Sequence, residues 1–381
     1  MTAALEVDIV VEQLRRSVPG GIGTYCLGLL QGLAALPEEQ RPHVTLHASR
    51  RPGARPGALA TDPLESLGWP LCTSMLPGRA LTRVWDLGIP AGWLKRRPTA
   101  RGGLVHATSL AVPPVHTVPV VAMVHDLAWR RFPEAYPRRG RAWHERAMRR
   151  VAGLARLFVV PSELTAGDLL AAGLGVREEQ VRLVPEGVDH LVPPDDAAAD
   201  QLLARIGLEH EAGFLLTVGT LEPRKNLARL VEAYGMARPK LPEPWPLVVV
   251  GPRGWSGGDG AVTAPGVLLT GPLDPGVLAA LYARARSMVY VPMFEGFGLP
   301  AAEAMLSGAP VVASTGLPST GDAALSVDPT DVAAMASALV LASVDGLERE
   351  RLRAVGERHA RTLTWRRCAA SHAEAWREAA G

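Results

Sequence analysis

Short apolar runs alternate with longer helical patterns along the whole chain, and this alternation limits the folds open to it. A buried strand of a parallel sheet reads as a near-continuous apolar run, and the connection to the next parallel strand is usually a helix. Strands and helices that alternate in this way build parallel sheets with helices on both faces. The sequence therefore predicts an α/β fold, and the pattern occurs twice.

The predicted elements form two sets. In the first half we predict strands at 7–11, 43–47, 103–106, 118–124, 157–160 and 181–184, and helices at 23–36 and 139–155. In the second half we predict strands at 214–218, 246–250, 267–269, 288–291 and 310–313, helices at 226–237, 275–285, 300–307 and 331–341, and a helical tail.

These sets predict two doubly wound, Rossmann-like domains, 1–195 and 196–381, joined by the Pro- and Ala-rich stretch 193–212. The terminal helical tail is expected to cross back to the first domain. Ligands of open α/β sheets lie beyond the carboxyl ends of the strands, so we expect the two domains to face a central cleft.

Composition excludes several classes of protein. No apolar run approaches the roughly 18 residues of a membrane span, and the first residues lack the basic segment of a signal peptide, so we expect a cytoplasmic chain. Cys26, Cys72 and Cys368 are far apart and form no C-x-x-C pair, which argues against a disulfide framework and against a zinc site.

The charge is divided unevenly along the chain. Residues 1–160 carry 21 Lys and Arg against 11 Asp and Glu, whereas residues 161–381 carry 19 against 27. The basic half is suited to an anionic acceptor or to peripheral contact with an anionic membrane, although arginines spread over solvated faces would give the same count. An aromatic content of 5% without a stacking motif argues against nucleic acid.

The most informative segment follows the predicted strand 288–291. Glycines form a turn there, and a helix is expected to begin near Leu299, with Pro300 at its first position. Its free N–H groups and its dipole make Phe297, Gly298 and Leu299 a seat for a phosphate. Glu295 and Glu303 flank the turn, where carboxylates accept hydrogen bonds from the paired hydroxyls of a ribose or hexose.

Arg224 and Lys225 stand between the predicted strand 214–218 and a helix that Asn226 is expected to cap. Adjacent cations at that place can hold a diphosphate and neutralise the charge that grows on it as a sugar leaves. Two solvated bases at the start of a helix are the simpler alternative.

Two further segments follow strands of the first half. His125 and Asp126 end the predicted strand 118–124; the histidine can donate to a sugar hydroxyl or a phosphate oxygen, and Asp126 can orient it or bind the sugar, although a buried core histidine is the ordinary alternative. The sequence PGGIGTY, with Gly21 and Gly23, forms a turn near the expected phosphate or acceptor, but it is not the dinucleotide fingerprint.

These segments resemble the retaining nucleotide-sugar glycosyltransferases of the GT-B class, glycosyltransferase family four, also called glycosyl transferases group one. The motifs that carry the resemblance are EGFGLPAAE from Glu295 to Glu303, GTLEPRKN, HDL, PGGIGTY, VVPSELT and VPEGVD. Many relatives have Asn where this chain has Glu186, a change expected to alter little. The sequence GLPSTGD is shortened and lacks the glutamate that is usual there.

The resemblance implies a role for each matching residue. Glu303 would hold the nucleotide ribose and Glu295 the donor sugar, Arg224 and Lys225 would hold the diphosphate, and His125 would contact the sugar. Phe297, Gly298 and Leu299 would offer backbone donors to the distal phosphate and sugar, and Gly21 and Gly23 would shape the loop near the phosphate and acceptor.

We therefore expect transfer of a hexosyl unit, with a mannosyl unit favoured. The transfer would retain the anomeric configuration and need no metal or other cofactor. GDP-mannose is the favoured donor and a UDP-sugar the alternative. The acceptor is a sugar, a lipid-linked glycan or a natural product, with loops 50–68 and 78–101 as the predicted walls of its site. The rival functions are a nucleotide-sugar epimerase, a phosphorylase, or a non-catalytic binder of sugar nucleotides.

Overall fold

A computed structural model describes residues 5–51, 62–89, 103–208, 213–242, 245–254 and 263–381. Parts of the predicted acceptor loops, 52–61 and 90–101, and residues 209–212 of the predicted connection lie outside this range. The chain forms two compact units. The first comprises Met1–Arg131, Tyr136–Gly187 and Trp365–Gly381; the second comprises Phe132–Ala135 and Val188–Thr364.

The first unit contains a parallel sheet in the order β3-β2-β1-β4-β5-β6-β7. Its strands are β1 (Glu6–Val10), β2 (His43–Arg50), β3 (Leu71–Pro77), β4 (Gly103–Ala107), β5 (Val120–Met123), β6 (Leu157–Val160) and β7 (Val181–Leu183). Its helices are α1 (Gly20–Ala34), α2 (Gly78–Asp86), α3 (Ala128–Arg131), α4 (Arg138–Leu154) and α5 (Glu163–Leu170), and the last helix of the chain joins them.

The second unit contains a parallel sheet in the order β10-β9-β8-β11-β12-β13. Its strands are β8 (Leu215–Val218), β9 (Leu247–Val250), β10 (Val267–Gly271), β11 (Ser287–Tyr290), β12 (Val311–Ser314) and β13 (Leu325–Val327). Its helices are α6 (Asp196–Arg205), α7 (Leu227–Ala237), α8 (Pro275–Arg284), α9 (Leu299–Leu306), α10 (Val332–Val344) and α11 (Gly346–Ala360); α12 (Trp365–Ala380) belongs to the first unit.

The predicted fold class is confirmed: both sheets are parallel and Rossmann-like. Strands β3 and β13 were not predicted, and both lie at an edge of their sheet. An edge strand is covered less completely, so its sequence lacks a strong apolar run; only one residue of β3 is buried. The chain passes between units at Gly187 and Val188, before the predicted boundary at 195.

Alternation along each strand gives the first sheet a core on both faces. Val7 and Ile9 pack in a cluster with Trp365 and Trp376 of α12, whereas Val10 packs in a second cluster under α4 and α5. Helix α12 lies close to α1, where a Cβ added to Gly28 would stand 2.0 Å from the Trp365 ring. Within the described residues, every helix is too short or too polar to cross a bilayer.

Candidate active site

The candidate residues of the second unit follow two neighbouring strands. Strands β8 and β11 pair in parallel, so their carboxyl ends lie side by side. Arg224 and Lys225 occupy a short turn after β8, and residues 291–298 connect β11 to α9. The backbone N–H of Met293 donates to the Arg224 carbonyl at 2.9 Å, which joins the two loops directly.

Glu295 lies at the centre of a compact group formed with Arg224, Lys225 and Tyr290, which we call the Glu295 cluster. Its Oε1 atom is 2.9 Å from Nη1 of Arg224, accepts from the Tyr290 hydroxyl at 2.9 Å and also contacts the Lys225 ammonium. The ammonium donates to the Tyr290 hydroxyl at 2.8 Å. Three predicted site residues are therefore brought into contact, together with a tyrosine that was not predicted.

Charge within the cluster fixes the state of its acid. Burial by itself would raise the pKa of Glu295, but the charges of Arg224 and Lys225 outweigh it and lower that pKa to about 2. Burial and the Glu295 charge raise the pKa of Tyr290 well above its usual value, so its hydroxyl keeps its proton. The carboxylate thus stays ionised at neutral pH and holds the two cations in place.

Arg224 has further partners that sequence reasoning missed. It donates from Nη2 to buried Glu222 at 2.8 Å and from Nη1 to the Phe294 carbonyl at 2.9 Å. Glu222 balances its charge, so the two cations face two carboxylates before any ligand arrives. The guanidinium is consequently fixed in direction, whereas the ammonium is linked to fewer groups.

The glycine turn requires its glycine at one position. Gly298 has a φ of 100°, and a Cβ there would meet Leu317 Cδ1 at 2.9 Å. Ser319 holds the turn, donating from Oγ to the Gly298 carbonyl at 2.7 Å and from its backbone to the Phe297 carbonyl at 3.0 Å. The side chains of Phe297 and Leu299 are buried in the core.

Helix α9 begins at Leu299 as expected, but Pro300 is its second residue rather than its first. Proline at either position leaves the helix intact because first-turn N–H groups have no partner within the helix. The N–H groups next to Gly298 therefore stay at the helix start, where the dipole favours an anion. The role of this turn as a phosphate seat stays a prediction.

Glu303 lies inside α9 and has its own set of contacts. Tyr282 donates to its Oε2 at 2.9 Å, and His190 Nε2 lies 3.2 Å from its Oε1. The residue is 8% exposed, and its charge contributes to the raised pKa of Tyr290. Both acids of the motif are therefore near Tyr290. Tyr282 was missed because its place in an apolar helix reads as core.

Asn226 differs from its expected role. Its side chain makes no capping bond to α7. Instead Nδ2 donates to the carbonyls of Val291 at 3.0 Å and Pro329 at 2.7 Å, and its backbone adopts a φ of 61°. Asparagine tolerates this left-handed conformation better than most residues. Asn226 does occupy the N-cap position of α7, but the prediction that its side chain caps the helix was wrong, because the amide ties together three loops that are distant in sequence.

In the first unit, His125 is held by two oxygens. Its Nε2 lies 3.0 Å from the Thr108 carbonyl and its Nδ1 lies 3.2 Å from Oε1 of Glu186. Asp126 instead accepts from the backbone of Ala128 at 2.9 Å, at the start of α3. The expectation that Asp126 orients His125 is therefore wrong, since a carboxylate from a distant loop does so.

The two candidate glycines lie in a helix rather than in a loop. Helix α1 begins at Gly20, earlier than predicted, so Gly21 and Gly23 fall in its first turn. Gly21 is exposed, with open space where a Cβ would stand. A Cβ on Gly23 would meet Pro19 at 2.3 Å, so this glycine lets the preceding segment fold against the helix. Their predicted roles near a phosphate or acceptor stay predictions.

Two family models match this chain, one in each half. The family model Glycosyltransferase Family 4 matches residues 19–190, and the model Glycosyl transferases group 1 matches residues 212–343. An O-antigen chain mannosyltransferase B of Escherichia coli is 30% identical over 257 residues, which cover 65% of this chain and 67% of that protein. A D-inositol 3-phosphate glycosyltransferase of Xylanimonas cellulosilytica is 31% identical over 320 residues, covering 78% and 71%.

Solved structures share the fold over nearly the whole chain. A sucrose-phosphate synthase from Thermosynechococcus elongatus superposes with a TM-score of 0.72 at 20% identity, covering 98% of both chains. Anabaena HepE, solved in complex with UDP and glucose, gives a TM-score of 0.67 at 16% identity, covering 97% and 98%. With two Rossmann-like parallel sheets and matches in both units, this chain belongs to the group 1, family 4 glycosyltransferases of the GT-B class.

Proposed function

We propose that this glycosyltransferase moves a hexosyl unit, mannosyl for preference, from a nucleoside diphosphate sugar to an acceptor with retention of anomeric configuration. The Glu295 cluster carries the proposal, because it places two cations and an ionised acid beside the start of a helix. This is the arrangement that a sugar diphosphate requires: positive charge for the phosphates and an acceptor of hydrogen bonds for the sugar.

The two cations of the Glu295 cluster are proposed to stabilise the leaving diphosphate. When the bond to the anomeric carbon breaks, negative charge grows on the departing diphosphate, and Arg224 and Lys225 stabilise it where a divalent ion would act in a metal-dependent enzyme. The incoming phosphates compete with Glu295 for Lys225, whose ammonium has three donors. Front-face attack fits retention: the leaving phosphate takes the acceptor proton, and no covalent nucleophile is needed.

Glu303 and Glu295 are proposed to bind different sugars of the donor. Glu303 is held by Tyr282, and its oxygens suit the paired hydroxyls of a ribose. Glu295 is kept ionised by its cations and suits the hydroxyls of the hexose. By its match to the family motif, His125 is proposed to contact the sugar near the reacting carbon.

The identities of donor and acceptor draw on the relatives. The mannosyltransferase named above supports a mannosyl unit, for which GDP-mannose is the proposed donor, and the UDP complex of HepE favours a UDP-sugar as the alternative. The acceptor is proposed as a sugar, a lipid-linked glycan or a natural product, and the basic first half would approach an anionic membrane peripherally. The two curated relatives are consistent with anionic or glycan acceptors.

A ligand screen followed by turnover tests the proposal. Nucleoside diphosphates are compared by thermal shift, since a ligand that binds the folded state raises the melting temperature by mass action. GDP-mannose and UDP-glucose are then incubated with the protein, with and without EDTA, and release of the nucleotide is measured. We expect GDP and GDP-mannose to be preferred, with release that is insensitive to EDTA.

The matched variants are Lys225→Ala and, in the same unit, exposed Lys240→Ala. Loss of a preorganised charge that acts in the transition state costs about 100-fold to 1,000-fold in turnover, so Lys225→Ala should lose that much while Lys240→Ala keeps wild-type activity. Equal activity of both variants would exclude the diphosphate clamp. Formation of a new glycosidic linkage separates transfer from epimerisation, and absence of any release would leave a non-catalytic binder.

A further inference from the structure

Both ring nitrogens of His125 face oxygen atoms of the first unit. Nε2 lies 3.0 Å from the backbone carbonyl of Thr108, and Nδ1 lies 3.2 Å from Oε1 of Glu186. His125 follows β5 and Glu186 follows β7, so the contact joins two loops at the same edge of the sheet.

Hydrogen-bond chemistry limits where the protons are. A carbonyl oxygen only accepts, so Nε2 of His125 must carry a hydrogen to bond Thr108. A neutral imidazole with that hydrogen would direct the lone pair of Nδ1 at the carboxylate of Glu186, which is repulsive. The observed contact therefore needs a proton between Nδ1 and Oε1; with Glu186 ionised, that proton is on Nδ1 and the ring is a cation paired with a carboxylate.

Burial strengthens this pairing. The Glu186 side chain is 5% exposed and that of His125 is 17% exposed. An ionised carboxylate taken out of water is costly unless a donor or a cation faces it. Nδ1 of a protonated His125 supplies both the hydrogen-bond donor and the positive charge.

The neighbouring titratable groups do not supply the positive charge that faces Glu186 in place of His125. The ring of Tyr25 meets that of His125 edge-on, with centroids 4.9 Å apart, and its hydroxyl bonds to His106 and His372. Burial lowers the pKa of His372 to about 4 and that of His106 well below its usual value, so both are neutral at neutral pH. Cys26 also stays neutral, because burial raises the pKa of its thiol to about 12.

We propose that Glu186 is a positioning residue for His125: its carboxylate fixes the ring and keeps Nδ1 protonated, so that the ring carries a positive charge. The effect on catalysis rests on the function proposed above, whereas the protonation of the ring does not. The change to glutamate at this place in the VPEGVD motif, expected from the sequence to alter little, thus creates a charge pair.

Nitrogen NMR of protein with ¹⁵N-labelled histidine tests the protonation without any donor. His125 is assigned by the loss of its signals in His125→Asn. At about pH 7.5 we expect both ring nitrogens of His125 to be protonated in the wild type and in the exposed control Glu178→Gln. In Glu186→Gln the amide can donate to Nδ1, so only Nε2 should be protonated. The same pattern in wild type and Glu186→Gln would overturn the proposal.

Kinetics tests the positioning role separately. In Glu186→Ala we expect kcat to fall about tenfold to 100-fold, with little change in the KM for the donor, because the ring loses its orientation and charge. Glu186→Gln should recover part of kcat and lose the alkaline fall of the wild-type pH profile. A uniform loss in both variants with an unchanged pH profile would show a merely structural role. If no donor is turned over, the function fails while the NMR result still decides the pairing.

Discussion

His372 makes the stability of the first unit depend on pH. The residue lies in α12, where Nδ1 donates to the Cys368 carbonyl at 2.8 Å and Nε2 accepts from the Tyr25 hydroxyl at 2.7 Å. Burial is the largest cause that lowers its pKa, to about 4, from an ordinary value of about 6.5. The folded protein therefore favours the neutral ring, whereas the unfolded chain accepts a proton more readily.

The direction and size of the effect follow from linkage. The stability is fully present above about pH 6.5 and is lost as the pH falls towards about 4, because the unfolded state binds more protons in that interval. The whole interval corresponds to about 3 kcal/mol. Between about pH 7.5 and about pH 5 the expected loss from His372 is about 2 kcal/mol. His106, also held neutral by burial, adds a loss of the same sign.

The perturbation is His372→Gln, which keeps an acceptor for Tyr25 and a donor for the Cys368 carbonyl but does not titrate. Urea unfolding is followed by tryptophan fluorescence at about pH 7.5 and about pH 5, and the free energy of unfolding is taken from the transition of the first unit, which contains His372. The difference between the two pH values should be smaller than in the wild type by about 2 kcal/mol. Exposed His43→Gln is the control and should keep the wild-type difference. An unchanged difference in His372→Gln would refute the argument, since the ring would then titrate normally in the folded state.

Three further predictions concern packing and the active site. Gly28→Ala places a methyl group against buried Trp365 and should lower the free energy of unfolding by about 1–3 kcal/mol in urea titrations, whereas Gly140→Ala, in a helix with open space, should keep or raise it. Tyr290→Phe removes the hydroxyl that links the ammonium and the carboxylate of the Glu295 cluster; kcat/KM should fall about tenfold, and an unchanged value would show that this hydroxyl is idle. Glu303→Gln should weaken binding of nucleoside diphosphates by about tenfold in calorimetry while leaving free phosphate unaffected, and equal losses for both ligands would contradict a contact with the ribose.

Local sequence signals predicted much of the second unit. The strand, glycine turn and helix from β11 to α9 were read correctly because each step uses a local preference: an apolar run, a glycine at positive φ, and a proline in the first helical turn. The same reasoning found Glu295, Arg224 and Lys225, whose contacts the structure shows. It did not find Tyr290, because a tyrosine at the end of a buried strand has the composition of core.

The failures have two causes. Asp126 was paired with His125, but its side chain accepts from the backbone of Ala128, two residues further along. Asn226 was expected to cap its own helix, but its amide donates to loops that are distant in sequence. The glutamate at position 186 was expected to alter little, and only the pairing of strands places it against His125.

The sequence alone determined the α/β class, the parallel sheets, the family and the residue types that can hold a sugar diphosphate. These depend on period, on turn chemistry and on short motifs, all of which act over a few residues. Only the tertiary structure decided which carboxylate faces which cation and which histidines burial holds neutral. Those pairings depend on the order of strands in each sheet and on burial, which join residues far apart in sequence and set the electrostatic cost of every unpaired group.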